Sequence, residues 1–159
     1  MDSYLHMSVG GFTERLAART PAPGGGTVVA LTAASAAALV AMAARFANQP
    51  AGPAEALRAR LEPLADADAA AYSQVLAAYR MPADDPDRPA RLVYALRVAT
   101  DIPRKVATAA REVALLADEL AENGNRNLVG DARVAAMLAR AAAEAADELV
   151  AINEQQAKH

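Results

Sequence analysis

Alanine fills 45 of the 159 positions, more than half of the 54% of the chain that is apolar. Alanine has the highest helix propensity and the smallest apolar side chain, so a chain this rich in it favours helices whose backbones approach closely. No stretch alternates apolar and polar residues over the length of a strand. The chain therefore reads as all-α, a bundle of about five helices, with long kinked antiparallel helices around an Ala-rich central one. Its length suits one domain, residues 1–159.

Composition narrows the partners. The net charge is −3 and no basic run occurs, so nothing matches the phosphate backbone of a nucleic acid. With no cysteine, a disulfide scaffold, a thiolate nucleophile and a Cys-based zinc site are excluded together. Arginine outnumbers lysine 14 to 2, which with the alanine excess fits a GC-rich coding sequence. The start of the chain, Met1 to Val9, has no basic region followed by an apolar stretch, and so reads as a cytoplasmic protein without a signal peptide.

Helical spacing and breakers place the elements. A short helix is predicted over Val9 to Arg19, capped by Ser8, with Phe12, Leu16 and Ala17 on one side. Thr20-Pro-Ala-Pro-Gly-Gly-Gly ends it and allows backbone angles that other residues avoid, and Thr27 is placed to cap the next helix. Val28 to Ala44 holds 17 residues without a charge; rich in Ala, and short of the roughly 20 strongly apolar residues of a span, it reads as a buried core helix rather than a membrane helix. A third helix follows Pro53 to about Arg80, kinked or restarted at Pro63, burying Leu57, Leu61, Leu64, Tyr72, Val75 and Leu76. A fourth spans about Ala90 to Glu122, kinked near Pro103, with Leu96, Val106, Val113 and Leu120 on its core face. The last runs from about Asp131 to Gln155 with Val134, Leu138, Ala141, Ala145, Leu149 and Ile152 as its stripe.

Three segments carry candidate chemistry. Pro23-Gly24-Gly25-Gly26-Thr27 leads into a helix whose free N–H groups attract a carboxylate or phosphate, although a tight helix connection has the same composition. It is neither a Walker loop nor a Rossmann turn, having no following Gly-Lys and no preceding strand. Asp68 and Tyr72 lie one helical turn apart, and partial burial of Asp68 would raise its pKa toward a proton-transfer role, while two solvated carboxylates at Asp66 and Asp68 are the plainer reading. Asn123 to Asp131 is a polar cluster suited to caps and turns, or to the polar edge of a heterocycle through Asn125 and Asp131. His6 and His159 stand at the two ends without paired acids, which gives no metal site.

Taken in order, Thr20-Pro-Ala-Pro-Gly-Gly-Gly-Thr27, Asp66-Ala-Asp-Ala-Ala-Ala-Tyr72, Tyr79-Arg-Met-Pro82, Ile102-Pro103, Gly124-Asn125 with Asp131, and Ile152-Asn153 resemble the cyclodeaminase/cyclohydrolase family. That domain occurs at the C-terminal end of formiminotransferase-cyclodeaminase and as free-standing bacterial proteins. The resemblance implies a homodimeric helical enzyme without a cofactor, acting on a tetrahydrofolate derivative as substrate: a lyase that cyclises a formimino group with loss of ammonia, or a hydrolase that opens a methenyl ring. It implies Asp68 as acid/base and Tyr72 as an orienting hydroxyl. Pro23 to Thr27 would hold an anionic or carbonyl portion of the ligand, and Asn125 and Asp131 the pterin. Two cations usual in the family are missing, where the chain has Phe46-Ala-Asn-Gln-Pro50 and Met81-Pro-Ala83. Their loss weakens attraction for a glutamate tail and keeps open a non-folate cyclisation or dehydration in a specialised biosynthetic pathway. A non-catalytic helical binding or assembly module is a further alternative.

Overall fold

In the computed structural model, residues 3–157 are described, and five α-helices make up most of them. They are α1 (Val9–Ala17), α2 (Gly25–Phe46), α3 (Gly52–Tyr79), α4 (Arg88–Asn123) and α5 (Val129–Gln156), with 3-10 turns at Tyr4–His6 and Arg126–Leu128. No strand occurs among the described residues. His159 lies outside them.

The core is built from small side chains. Of the 36 buried apolar residues among those described, 26 are alanine, so helix-to-helix approach, rather than interlocking of large side chains, removes most of the surface from water. α2 is long and apolar enough to cross a bilayer by composition, yet it buries Ala33, Ala36, Ala37, Val40 and Ala44 against α3, α4 and α5 and serves as the core helix.

α5 corrects the expected stripe. Its seven buried residues, Ala132, Ala135, Ala136, Ala139, Ala142, Ala143 and Ala146, are all alanine, whereas Val134 is 48% exposed and Ala141 and Ala145 face outward. The expected stripe follows the larger apolar residues Val134, Leu138, Leu149 and Ile152 at helical spacing, whereas the face that the adjoining helices bury holds methyl groups alone. α5 lies antiparallel to α4, and three ion pairs bridge their outer edge: Arg104–Glu154, Arg111–Asp147 and Arg140–Asp118. Each pair lies seven residues from the last on both helices, in opposite directions, as in an antiparallel coiled coil.

α3 and α4 run on through Pro63 and Pro103 respectively, without the restart considered for Pro63. Ser8 caps α1, its hydroxyl accepting from the Gly11 N–H. α1 has no buried residue and lies outside the core, with Ala17 exposed. The chain before it is fastened by Tyr4, which is buried, meets Phe12 edge to face at 5.9 Å and lies under the Arg15 guanidinium.

Candidate functional site

The Pro-Gly loop, α3, α4 and the end of α5 enclose a cavity of about 330 Å³, toward the lower end of the range of roughly 300–1,000 Å³ for small-molecule sites. The loop contributes Pro21, Ala22 and Gly24 and the first turn of α2 Gly25 and Gly26; α3 contributes Asp68, Ala69, Tyr72 and Val75. From α4 come Leu96, Ala99 and Pro103, and from α5 Leu149, Ile152, Asn153 and Gln156. These positions recur at three- and four-residue steps, so each helix turns one face toward the space.

Asp68 is set against the first turn of α2. A β-carbon at Gly26 would fall 2.0 Å from Asp68 Oδ1 and 2.4 Å from its Cγ, so the carboxyl occupies space that any other residue would fill. Gly24 and Gly25 would carry a β-carbon into open space. No glycine among the described residues has positive φ, which corrects the expectation that the triple glycine serves unusual backbone angles. Its use at Gly26 is close approach.

Thr27 does not cap α2; Gly24 holds the cap position, and Thr27 is buried in the first turn. Its hydroxyl lies 3.2 Å from the Ala65 carbonyl and 3.3 Å from Asp68 Oδ2. The hydroxyl has one proton, and the Ala65 carbonyl can only accept. With Asp68 protonated, the acid donates to Thr27 Oγ1 while Thr27 donates to Ala65. With Asp68 ionised, two acceptors compete for one proton. Burial raises the Asp68 pKa, and the Thr27 hydroxyl and backbone N–H, which hydrogen-bond the carboxylate, partly offset that rise. The result is an acid held above the ordinary carboxylate range beside a cavity.

Asp66, two residues earlier, has a different task. Its Oδ1 accepts from the Tyr4 backbone N–H at 2.9 Å and so ties the N-terminal turn to α3. Tyr72 lines the cavity but is 45% exposed, which corrects its expected place in the buried stripe; Leu64 and Leu76 are only half-buried. Pro23 is buried behind the lining, joined to Ala22 by a cis peptide.

Asn125 and Asp131 do not line this cavity. The Asn125 side chain caps the 3-10 turn at Asn127 and donates to the Phe46 carbonyl at 3.1 Å. It therefore sits at the far end of α2, about 30 Å from Gly26 by helical rise. Asp131 is in the first turn of α5 at that same end, where a carboxylate suits the helix dipole.

Sequence reasoning left Asn153 out of the site. Its Nδ2 donates to the Ala99 carbonyl at 3.0 Å, and Ala99 lies four residues before Pro103, which has no N–H to offer it. The signal was present in the paired motifs Ile102-Pro103 and Ile152-Asn153, but nothing in their separation says that the two meet.

A family model described as formiminotransferase-cyclodeaminase matches residues 8–159. The chain belongs to the formiminotransferase-cyclodeaminase family. It is 33% identical to a methenyltetrahydrofolate cyclohydrolase of Methylorubrum extorquens, over 89% of this chain and 76% of that protein. It is 34% identical to the formimidoyltransferase-cyclodeaminase of Mus musculus over 84% of this chain, yet spans only 28% of that longer protein. The crystal structure of a formiminotetrahydrofolate cyclodeaminase from Thermotoga maritima superposes with a TM-score of 0.84 at 30% identity, covering 96% of this chain and 80% of that one. This family member is thus about as similar in sequence to a cyclohydrolase as to cyclodeaminases, and shares its fold with a cyclodeaminase.

Proposed function

We propose that this chain is a cytoplasmic enzyme of one-carbon folate metabolism, a cyclodeaminase or cyclohydrolase working at a C–N centre. The observation that carries this reading is the placement of Asp68: a partly desolvated acid, packed on the N-terminus of α2, at the wall of a cavity of small-molecule size. In cyclodeamination a second folate nitrogen attacks the formimino carbon, and the tetrahedral centre expels an amine that must leave protonated. Asp68 supplies that proton, and Tyr72 orients the reacting group. The Gly24–Gly26 backbone receives a carbonyl or anionic portion of the ligand. In ring opening of a methenyl group, the ionised form of the same residue takes a proton from the attacking water. Pro23 and Thr27 support this wall from behind. Asn125 and Asp131 do not line this cavity and are given no part in the step.

Purified protein given formiminotetrahydrofolate, with ammonia release followed, and methenyltetrahydrofolate, with hydrolysis followed by absorbance, tests the reading. Turnover of either supports it. Absence of both, together with no thermal shift on adding either folate, refutes it.

A second reading, cyclisation or dehydration of a less anionic intermediate, is favoured by one observation: among the described residues no Lys or Arg lines the cavity. A homodimer is part of the proposal, supported by large apolar side chains left on the surface, among them Leu115 at 70% and Met137 at 68% exposure. Sedimentation equilibrium at micromolar concentration checks it, and a monomer there removes it.

A further inference from the structure

We propose that Asn153 determines ligand specificity in the cavity, its side-chain carbonyl accepting from an N–H of the substrate, and that Pro103 fixes this orientation by leaving the Ala99 carbonyl free to hold the amide's other end. The proposal rests on the reading that this cavity is the substrate site. Proline inside a helix removes one backbone donor, here the one Ala99 would use. An unsatisfied carbonyl at a cavity wall is costly, and the Asn153 amide supplies the missing donor from the facing helix at 3.0 Å. Because the Ala99 oxygen can only accept, the amide must turn Nδ2 toward it. Oδ1 is then the end left for a ligand, an acceptor on the α5 side of a cavity whose α3 side carries Asp68. The exposed Arg104–Glu154 ion pair joins α4 and α5 next to it. An acceptor so fixed selects substrates that present a ring or amide N–H, and rejects those that present only acceptors.

Steady-state kinetics with the folate that the wild-type protein turns over, run beside thermal melting, tests this on Asn153→Ala, Pro103→Ala and the double variant. Asn153→Ala is expected to raise KM about tenfold, the loss of one well-placed hydrogen bond, with a smaller change in kcat. Pro103→Ala returns an N–H to Ala99 and frees the amide; its melting temperature is expected to hold or rise while KM rises several-fold. The double variant is expected to be no worse than Asn153→Ala alone, because Pro103 acts through that residue. Additive KM effects, or an Asn153→Ala protein with lowered melting temperature and unchanged KM, would overturn the proposal while leaving the folate reading intact. A wild-type protein that neither binds nor turns over a folate overturns both, the folate reading first.

Discussion

Gly26 and Asp68 share one volume: the carboxyl of Asp68 lies where a side chain at position 26 would begin, 2.0 Å from the β-carbon that any other residue would bring. The acid is thereby held by the absence of a group on the neighbouring helix. Gly26→Ala should displace the carboxyl and lower kcat/KM to the level of Asp68→Asn, although the acid is still present. If both variants act on this one contact, Gly26→Ala in an Asp68→Ala background should cost little stability, and a double-mutant cycle of melting temperatures measures that coupling.

Asp68→Asn should cost about a hundred- to ten-thousand-fold in kcat, the usual range for general acid/base help. Its stability should move the other way. Since burial raises the folded-state pKa of Asp68 above 3.8, the native state binds more protons than the unfolded chain between these values, and stability falls as pH rises through that window. The side chain's contribution is fully present below pH 3.8 and is lost above the raised value. Asn mimics the protonated acid, so the variant should melt at or above the wild-type temperature at neutral pH, the gap closing as pH is lowered toward 3.8.

Thr27→Val removes the hydroxyl that favours the ionised form of Asp68. The Asp68 pKa should rise further, and the limb of the pH–rate profile belonging to Asp68 should move to higher pH. Thr27→Ser keeps the hydroxyl and should leave that limb where it is. A profile unchanged by Thr27→Val would separate Thr27 from the acid.

The contacts between α4 and α5 separate two kinds of adhesion. Ala139 is fully buried on α5, and Ala139→Leu should destabilise by about 1–3 kcal/mol or more through overpacking. Arg111→Ala removes an exposed ion pair, worth about 0.2–1 kcal/mol at such sites and less in high salt. Urea unfolding of both at two ionic strengths checks the contrast.

Helix positions and breakers were legible because alanine spacing and Pro-Gly punctuation act locally, so all five helices start and stop within a few residues of their predicted ends. Burial was less so. On α5 a ranking by side-chain size picks Val134 and Ile152, while packing selects by smallness and takes Ala135, Ala139 and Ala146. Of the candidate site, Asp68 and Gly24 to Gly26 line one cavity, while Asn125 and Asp131 lie at the other end of the bundle. Loop composition reports polarity without saying which end of a helix pair it crowns. The Asn153–Ala99 bond depends on a register between α4 and α5 that no local pattern encodes.

An interior made largely of methyl groups has almost nowhere to go by mutation. Glycine loosens the helix, anything bigger wedges it open, and so Ala36, Ala110 and Ala139 are hemmed in from both directions. Chemical novelty in such a scaffold must be written on the rim, in the handful of longer side chains such as Leu149, Ile152 and Gln156 that face the hollow without joining the packed methyl layer.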